Sequence, residues 1–126
     1  MAIVGLGTDI CDIRRIQASS NRLGEKFAQR ILTPTELAIF QQAKDPSRYL
    51  AKRFAVKEAA AKALGTGIAA GVSFQHFEVS NTPLGKPKLC LSDKALVIAQ
   101  TLGMKSVHVS ISDEVDYAMA TVILES

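Results

Sequence analysis

Glu58 and Lys62 stand four residues apart in the run Arg53-Phe54-Ala55-Val56-Lys57-Glu58-Ala59-Ala60-Ala61-Lys62. On a helix they share one face, with Phe54 one turn before them. A carboxylate and an ammonium on a rigid helix can hold a metal and a phosphate. A second carboxylate, Asp9, ends the apolar run Ile3-Val4-Gly5-Leu6-Gly7-Thr8-Asp9. Two carboxylates on two rigid elements beside a lysine point to phosphate chemistry through a hard cation such as magnesium. Taken singly, each has an ordinary reading: Glu58 with Lys62 as a surface ion pair worth roughly a few tenths of a kcal/mol, Asp9 as the cap of the next helix. The combination argues for more. Asp9 follows a segment apolar enough to be buried, and a buried carboxylate is costly unless a cation compensates it.

Other charged residues surround this trio. Arg53 and Lys57 are four apart on a neighbouring face, and Arg48 and Lys52 extend the set. They can bind phosphate or stand as solvated charge. His108 lies in the alternating run Val107-His108-Val109-Ser110-Ile111-Ser112, which places it on one face with Ser110 and Ser112. That face can line a ligand site or meet water. His76 reads as a surface or structural residue. Gly65-Thr66-Gly67 and Gly85-Lys86 are weak phosphate-loop signals, and no Walker A or dinucleotide fingerprint is present.

The elements that position these groups are legible. Ala2–Ile10 reads as a strand, followed by short helices over Ile13–Ser19 and Gly24–Ile31. Thr33-Pro34-Thr35-Glu36 is a helix start, with Thr33 as N-cap, Pro34 in the first turn and Glu36 closing a capping box. That helix runs to about Ala43. Asp45-Pro46 repeats the signal, and a long helix follows to Leu64, where Gly65 ends it. Its apolar positions Leu50, Phe54 and Ala61 recur at helical spacing. Beyond a glycine-rich loop, Phe74–Ser80 and Lys88–Leu91 read as strands joined by the turn Pro83-Leu84-Gly85-Lys86-Pro87. Ser92 caps a helix to Leu102, closed by Gly103. Val107–Ser112 and Tyr117–Leu124 form a terminal hairpin. Helices first and antiparallel hairpins later make an α+β fold, one domain over residues 1–126.

Composition narrows the function classes. Hydrophobic residues make up 48% and charged residues 21%, which fits a folded chain and excludes a disordered one. No run of about 18 apolar residues exists, so no membrane span is expected. The N-terminus reads as a first strand and poorly as a signal peptide. Cys11 and Cys90 lack metal-ligand spacing and read as small core residues in a reducing compartment, the cytoplasm. The net charge of +3 is uneven. The basic excess sits in the N-terminal half, with Arg14, Arg15, Arg22, Lys26 and Arg30 in one short segment. That suggests an acidic partner or a solvated helical face. No aromatic residues interleave these arginines, which argues against nucleic acid. A non-catalytic module gripping acidic proteins, and a magnesium-dependent nucleotide hydrolase, are the rival classes.

The chain resembles the holo-acyl-carrier-protein synthases, the short group of 4′-phosphopantetheinyl transferases. The resemblance runs the whole length and rests on five stretches. These are Gly7-Thr8-Asp9-Ile10, Arg53-Phe54-Ala55-Val56-Lys57-Glu58-Ala59, Lys62-Ala63-Leu64-Gly65-Thr66-Gly67, Gly85-Lys86-Pro87 and His108-Val109-Ser110-Ile111-Ser112. Phe54, where larger relatives tend to carry tryptophan, favours the short group. The family moves phosphopantetheine from coenzyme A to a serine of apo-acyl carrier protein and releases adenosine 3′,5′-bisphosphate.

The resemblance implies Mg2+ held by Asp9 and Glu58. It makes Glu58 the base, directly or through water, and assigns Lys62 to the pyrophosphate or to proton transfer. Arg53 and His108 resemble residues at the adenosine 3′-phosphate end, and Gly65, Lys86 and Pro87 resemble loop positions lining the nucleotide. Arg14 and Arg22 become candidates for docking an acidic carrier protein. The family is trimeric by resemblance, so a single copy of the fold is expected to complete its site across a subunit boundary. The helix bearing Glu58 and the strand bearing His108 can then come from different chains. Asp113 departs from the histidine that many members show there.

Overall fold

The computed structural model describes all of residues 1–126. The chain runs β1 (Ile3–Asp12), α1 (Ile13–Leu23), α2 (Glu25–Ile31), α3 (Pro34–Gln42) and α4 (Pro46–Leu64). It continues through a 3₁₀ turn (Phe74–His76) to β2 (Phe77–Asn81), β3 (Pro87–Leu91), α5 (Asp93–Thr101), β4 (Ser106–Asp113) and β5 (Tyr117–Glu125). An antiparallel three-stranded sheet has the order β1-β5-β4, and β2 and β3 form a separate two-stranded ribbon. This is the expected α+β architecture, an antiparallel sheet packed against one long helix.

The helix starts are those the sequence announces. Thr33 accepts from the Glu36 backbone N–H while the Glu36 side chain accepts from the Thr33 N–H, completing the capping box. Asp45 caps α4, and Gly65 ends it in the left-handed region at φ 83°, which glycine enters without steric cost. Helix α1 extends past the expected Ser19 to Leu23, because the next residue that favours a break is Gly24. The expected strand over Phe74–Ser80 begins later, at Phe77. Ser73 caps a 3₁₀ turn there, and its own N–H is taken by the His76 ring. His76 is thus structural. Cys11 is buried as expected, but Cys90 is exposed, because the alternation of β3 turns it outward.

Helix α4 crosses β1 and β5 at close range because both surfaces are small. Ala51, Ala55, Ala59, Ala60, Ala61 and Ala63 are buried on the helix. On the facing strand, a Cβ at Gly7 would overlap the Ala59 carbonyl oxygen, and one at Gly5 would overlap that of Ala63. Glycine at those positions lets the backbones approach. The core continues through Leu50, Val56, Phe77, Val79, Val122 and Leu124. No helix is long and apolar enough to cross a membrane.

Candidate active site

The small-residue contact between β1 and α4 fixes the expected trio. Lys62 Nζ donates to Asp9 Oδ1 at 3.0 Å and to the Thr8 carbonyl at 3.1 Å. The Asp9 side chain is 15% exposed and that of Lys62 52%, so the pair is anchored inside and open outside. Glu58, one turn before Lys62, completes the cluster. Its carboxyl is held above the usual carboxylate range by partial burial first and by the Asp9 charge second, with Lys62 opposing. Cys11 feels the same field. Burial, then Asp9, Asp12 and Glu58, push its thiol up to about 11.

Two mutually repelling carboxylates with a lysine form a cation-hungry site. No group of three or more His, Cys, Asp or Glu side chains converges around a point. A two-carboxylate oxygen donor set is unlike the closed tetrahedral nitrogen and sulfur cages of structural zinc. It fits a hard cation that keeps waters and takes its remaining ligands from phosphates, and Mg2+ is such an ion.

Lys57 does not belong to a phosphate site, nor is it solvated. It is fully buried, donating to Glu36 Oε1 at 2.5 Å and to the Ile31 carbonyl at 2.8 Å. Glu36 Oε2 accepts from the Val79 N–H at 2.6 Å. This network ties α4 to α2, α3 and β2. Its partners lie too far apart in sequence for spacing to reveal it.

Arg53 is buried too, but it lines a cavity of about 470 Å³ with Tyr49, Lys52, Asn81, Pro87 and Asp113. Its guanidinium carbon lies 4.5 Å from the Tyr49 ring centroid, and Nη2 donates to Asn81 Oδ1 at 2.8 Å. Its Nε is buried without a partner. Sequence reasoning missed Tyr49 and Asn81, which carry no motif. Asp113, which departs from the family pattern, is held by Arg48 at 2.9 Å. The same guanidinium also donates to the Glu114 and Val115 carbonyls, clasping the β4–β5 turn. Arg48 is therefore structural.

Lys86, Pro87 and His108 share a neighbouring groove of about 410 Å³ with Lys88. Gly65 sits at the C-terminal end of α4, one turn beyond Lys62. On α1, Arg14 pairs with Asp12 and Asp116, and its hydrogen bond draws the Asp12 carboxyl below its usual range. Arg22 is exposed in the last turn.

The sheet separates the two groups of candidate residues. Asp9 points to the face that α4 covers. Val107, Val109 and Ile111 of β4 also face the core, so His108, Ser110 and Ser112 point the other way. His108 lies in register with Ile123 and, across β5, with Leu6, and its Nε2 is 3.1 Å from Glu125 Oε1. In one protomer, His108 and Glu58 thus occupy opposite faces.

Residues 5–122 match the 4′-phosphopantetheinyl transferase superfamily. The chain belongs to that superfamily, in its holo-acyl-carrier-protein synthase group. It is 62% identical over its full length to the complete holo-[acyl-carrier-protein] synthase of Vibrio atlanticus (strain LGP32). The fold superimposes on the crystal structure of the Neisseria meningitidis synthase with a TM-score of 0.91 and 46% identity, covering 99% of this chain and 100% of that one. The Bacillus anthracis synthase, in complex with CoA (3′,5′-ADP), gives a TM-score of 0.82 at 40% identity, over 98% of this chain and 97% of that one. The chain is accordingly a phosphopantetheinyl transferase, and its sequence resemblance and its fold agree.

Proposed function

We propose that this enzyme transfers the 4′-phosphopantetheine arm of coenzyme A to a serine of apo-acyl carrier protein, in fatty acid biosynthesis in the cytoplasm. The observation that carries the reading is the meeting of Asp9, Glu58 and Lys62 at one open site on two rigid elements. The serine oxygen bonds to the phosphorus that carries the pantetheine arm. The bond from that phosphorus to the bridging oxygen breaks, and adenosine 3′,5′-bisphosphate leaves with the electron pair. Glu58 takes the hydroxyl proton, a role suited to a carboxylate made more basic by partial burial and a neighbouring charge. Lys62, already beside Asp9, is placed to meet charge on the leaving phosphate. Asp9 and Glu58 would hold Mg2+, which would supply Lewis-acid neutralisation of pyrophosphate charge.

The homotrimer rests on the family resemblance, and the outer face of the three-stranded sheet supports self-association. Leu6, Ile10, Tyr117 and Met119 are all exposed there, a large apolar surface for a lone protomer. Because His108 and Glu58 lie on opposite faces of one protomer, we infer that His108 of one chain completes the site at Glu58 of another. Arg53, Gly65, Lys86, Pro87 and His108 then line the nucleotide, and Arg14 and Arg22 on α1 steer the acidic carrier protein.

The test is the mass of apo-acyl carrier protein after incubation with this protein, coenzyme A and Mg2+. A gain of one phosphopantetheine arm, lost with EDTA and with Asp9→Ala or Glu58→Ala, is expected. A gain that survives EDTA refutes the metal role, and no gain refutes the transfer. Light scattering checks assembly, where a trimer is expected and a stable monomer contradicts it.

A further inference from the structure

Arg53 is an unusual residue to find inside a protein. It is only 5% exposed, faces no carboxylate within ion-pairing distance, and keeps Nε without a partner. Burying an unpaired guanidinium is costly, so something else must hold it in place. Two contacts do so. The Tyr49 ring lies 4.5 Å from the guanidinium carbon and offers its negative face. Asn81 Oδ1 accepts from Nη2 at 2.8 Å, while Asn81 Nδ2 donates to the Gly85 carbonyl at 3.1 Å. Asn81 therefore joins Arg53 on α4 to the β2–β3 turn that leads into Lys86 and Pro87. Neither partner is anionic. The positive charge is left for whatever enters the cavity, where a carboxylate partner would have neutralised it.

We infer that Tyr49 and Asn81 are positioning residues that aim the uncompensated Arg53 guanidinium at the 3′-phosphate of coenzyme A, and so set the preference for coenzyme A over 3′-dephospho-coenzyme A. This rests on the proposed function, in which Arg53 meets that phosphate. The Tyr49 hydroxyl is not the feature that matters. It donates at 3.3 Å to the Glu36 carbonyl, while the guanidinium carbon lies over the ring face.

The experiment measures kcat/KM for coenzyme A and for 3′-dephospho-coenzyme A in the wild type and in Arg53→Ala, Asn81→Ala, Tyr49→Leu and Tyr49→Phe, with a melting curve for each. Asn81→Ala is expected to lower the ratio of the two values about tenfold, the scale of one hydrogen bond to a charged group. Tyr49→Leu lowers it too, and Tyr49→Phe, which keeps the ring, restores it. A merely structural role would slow both substrates together and leave the ratio unmoved. If Arg53→Ala collapses the ratio while Asn81→Ala and Tyr49→Leu do not, the inference is overturned and the functional reading stands. If Arg53→Ala itself leaves the ratio unchanged, Arg53 does not meet the 3′-phosphate, and the inference falls with that assignment. Asn81 is exposed, so its variant should fold and keeps the test decisive should Tyr49→Leu not fold.

Discussion

Helix α4 carries two lysine–carboxylate pairs five residues apart, and they are opposites. Lys57 with Glu36 is sealed, at 0% and 1% side-chain exposure. Lys62 with Asp9 is open, at 52% and 15%. In the sealed pair the donors and acceptors are used. Glu36 accepts from Lys57, Thr33 and Val79, and Lys57 also reaches the Ile31 carbonyl. A ligand has nowhere to enter. In the open pair Asp9 spends Oδ1 on Lys62 and has Glu58 beside it as a second carboxylate. The lesson is that residue type and helical spacing do not separate scaffold from chemistry. Saturation and solvent access do.

The comparison can be broken most forcefully at the sealed pair. Lys57→Ala leaves Glu36 buried and unpaired, and should cost about 3–5 kcal/mol in urea unfolding. A loss below 1 kcal/mol would mean the pair is not the joint described here. Gly7→Ala comes next. Its Cβ meets the Ala59 carbonyl oxygen, backbone that cannot swing aside. It should cost roughly 1–3 kcal/mol and reduce transfer activity, because β1 must back away from α4 and carry Asp9 with it. Lys62→Ala should move stability by less than ~1 kcal/mol, since exposed pairs contribute little, while transfer drops sharply. A Lys62→Ala protein that unfolds readily but stays active would reverse the assignment of the two pairs.

The smallest effect is chemical. Burial and the Asp9, Asp12 and Glu58 charges hold the Cys11 thiol near 11, so at pH 8 it is almost wholly protonated and unreactive. Iodoacetamide should label exposed Cys90 first. Cys11 labelling should rise about tenfold per pH unit until the pH approaches that value. Equal labelling at pH 8 would contradict the charge environment assigned to the open site.

Much of this architecture is legible in the sequence. The Thr33-Pro34-Thr35-Glu36 cap, the span of α4 from Asp45 to Gly65, the C-terminal hairpin and the facing of His108 with Ser110 and Ser112 follow from local rules that act over a few residues. Asp9, Glu58 and Lys62 are legible as a trio because Asp9 follows an apolar run, although β1 continues past it to Asp12. What escaped is what depends on distant partners. Nothing near Lys57 says that Glu36 will neutralise it, so it looked like one more basic residue on the helix. Glu36 was legible as a cap and illegible as the hub joining α3, α4 and β2. Tyr49 and Asn81 gave no signal because their role is defined only by where Arg53 ends up. Cys90 read as buried from its residue type, but strand alternation turns it to solvent.

The most direct measurement is the rate at which Glu58→Gln loads apo-acyl carrier protein, set against its melting curve. This substitution keeps the shape and removes the charge. The account predicts a melting temperature close to wild type and transfer reduced at least about 100-fold, the lower range expected for loss of an acid–base group. A folded Glu58→Gln enzyme that still loads the carrier at the wild-type rate would contradict the claim that the open cluster on α4 performs the chemistry.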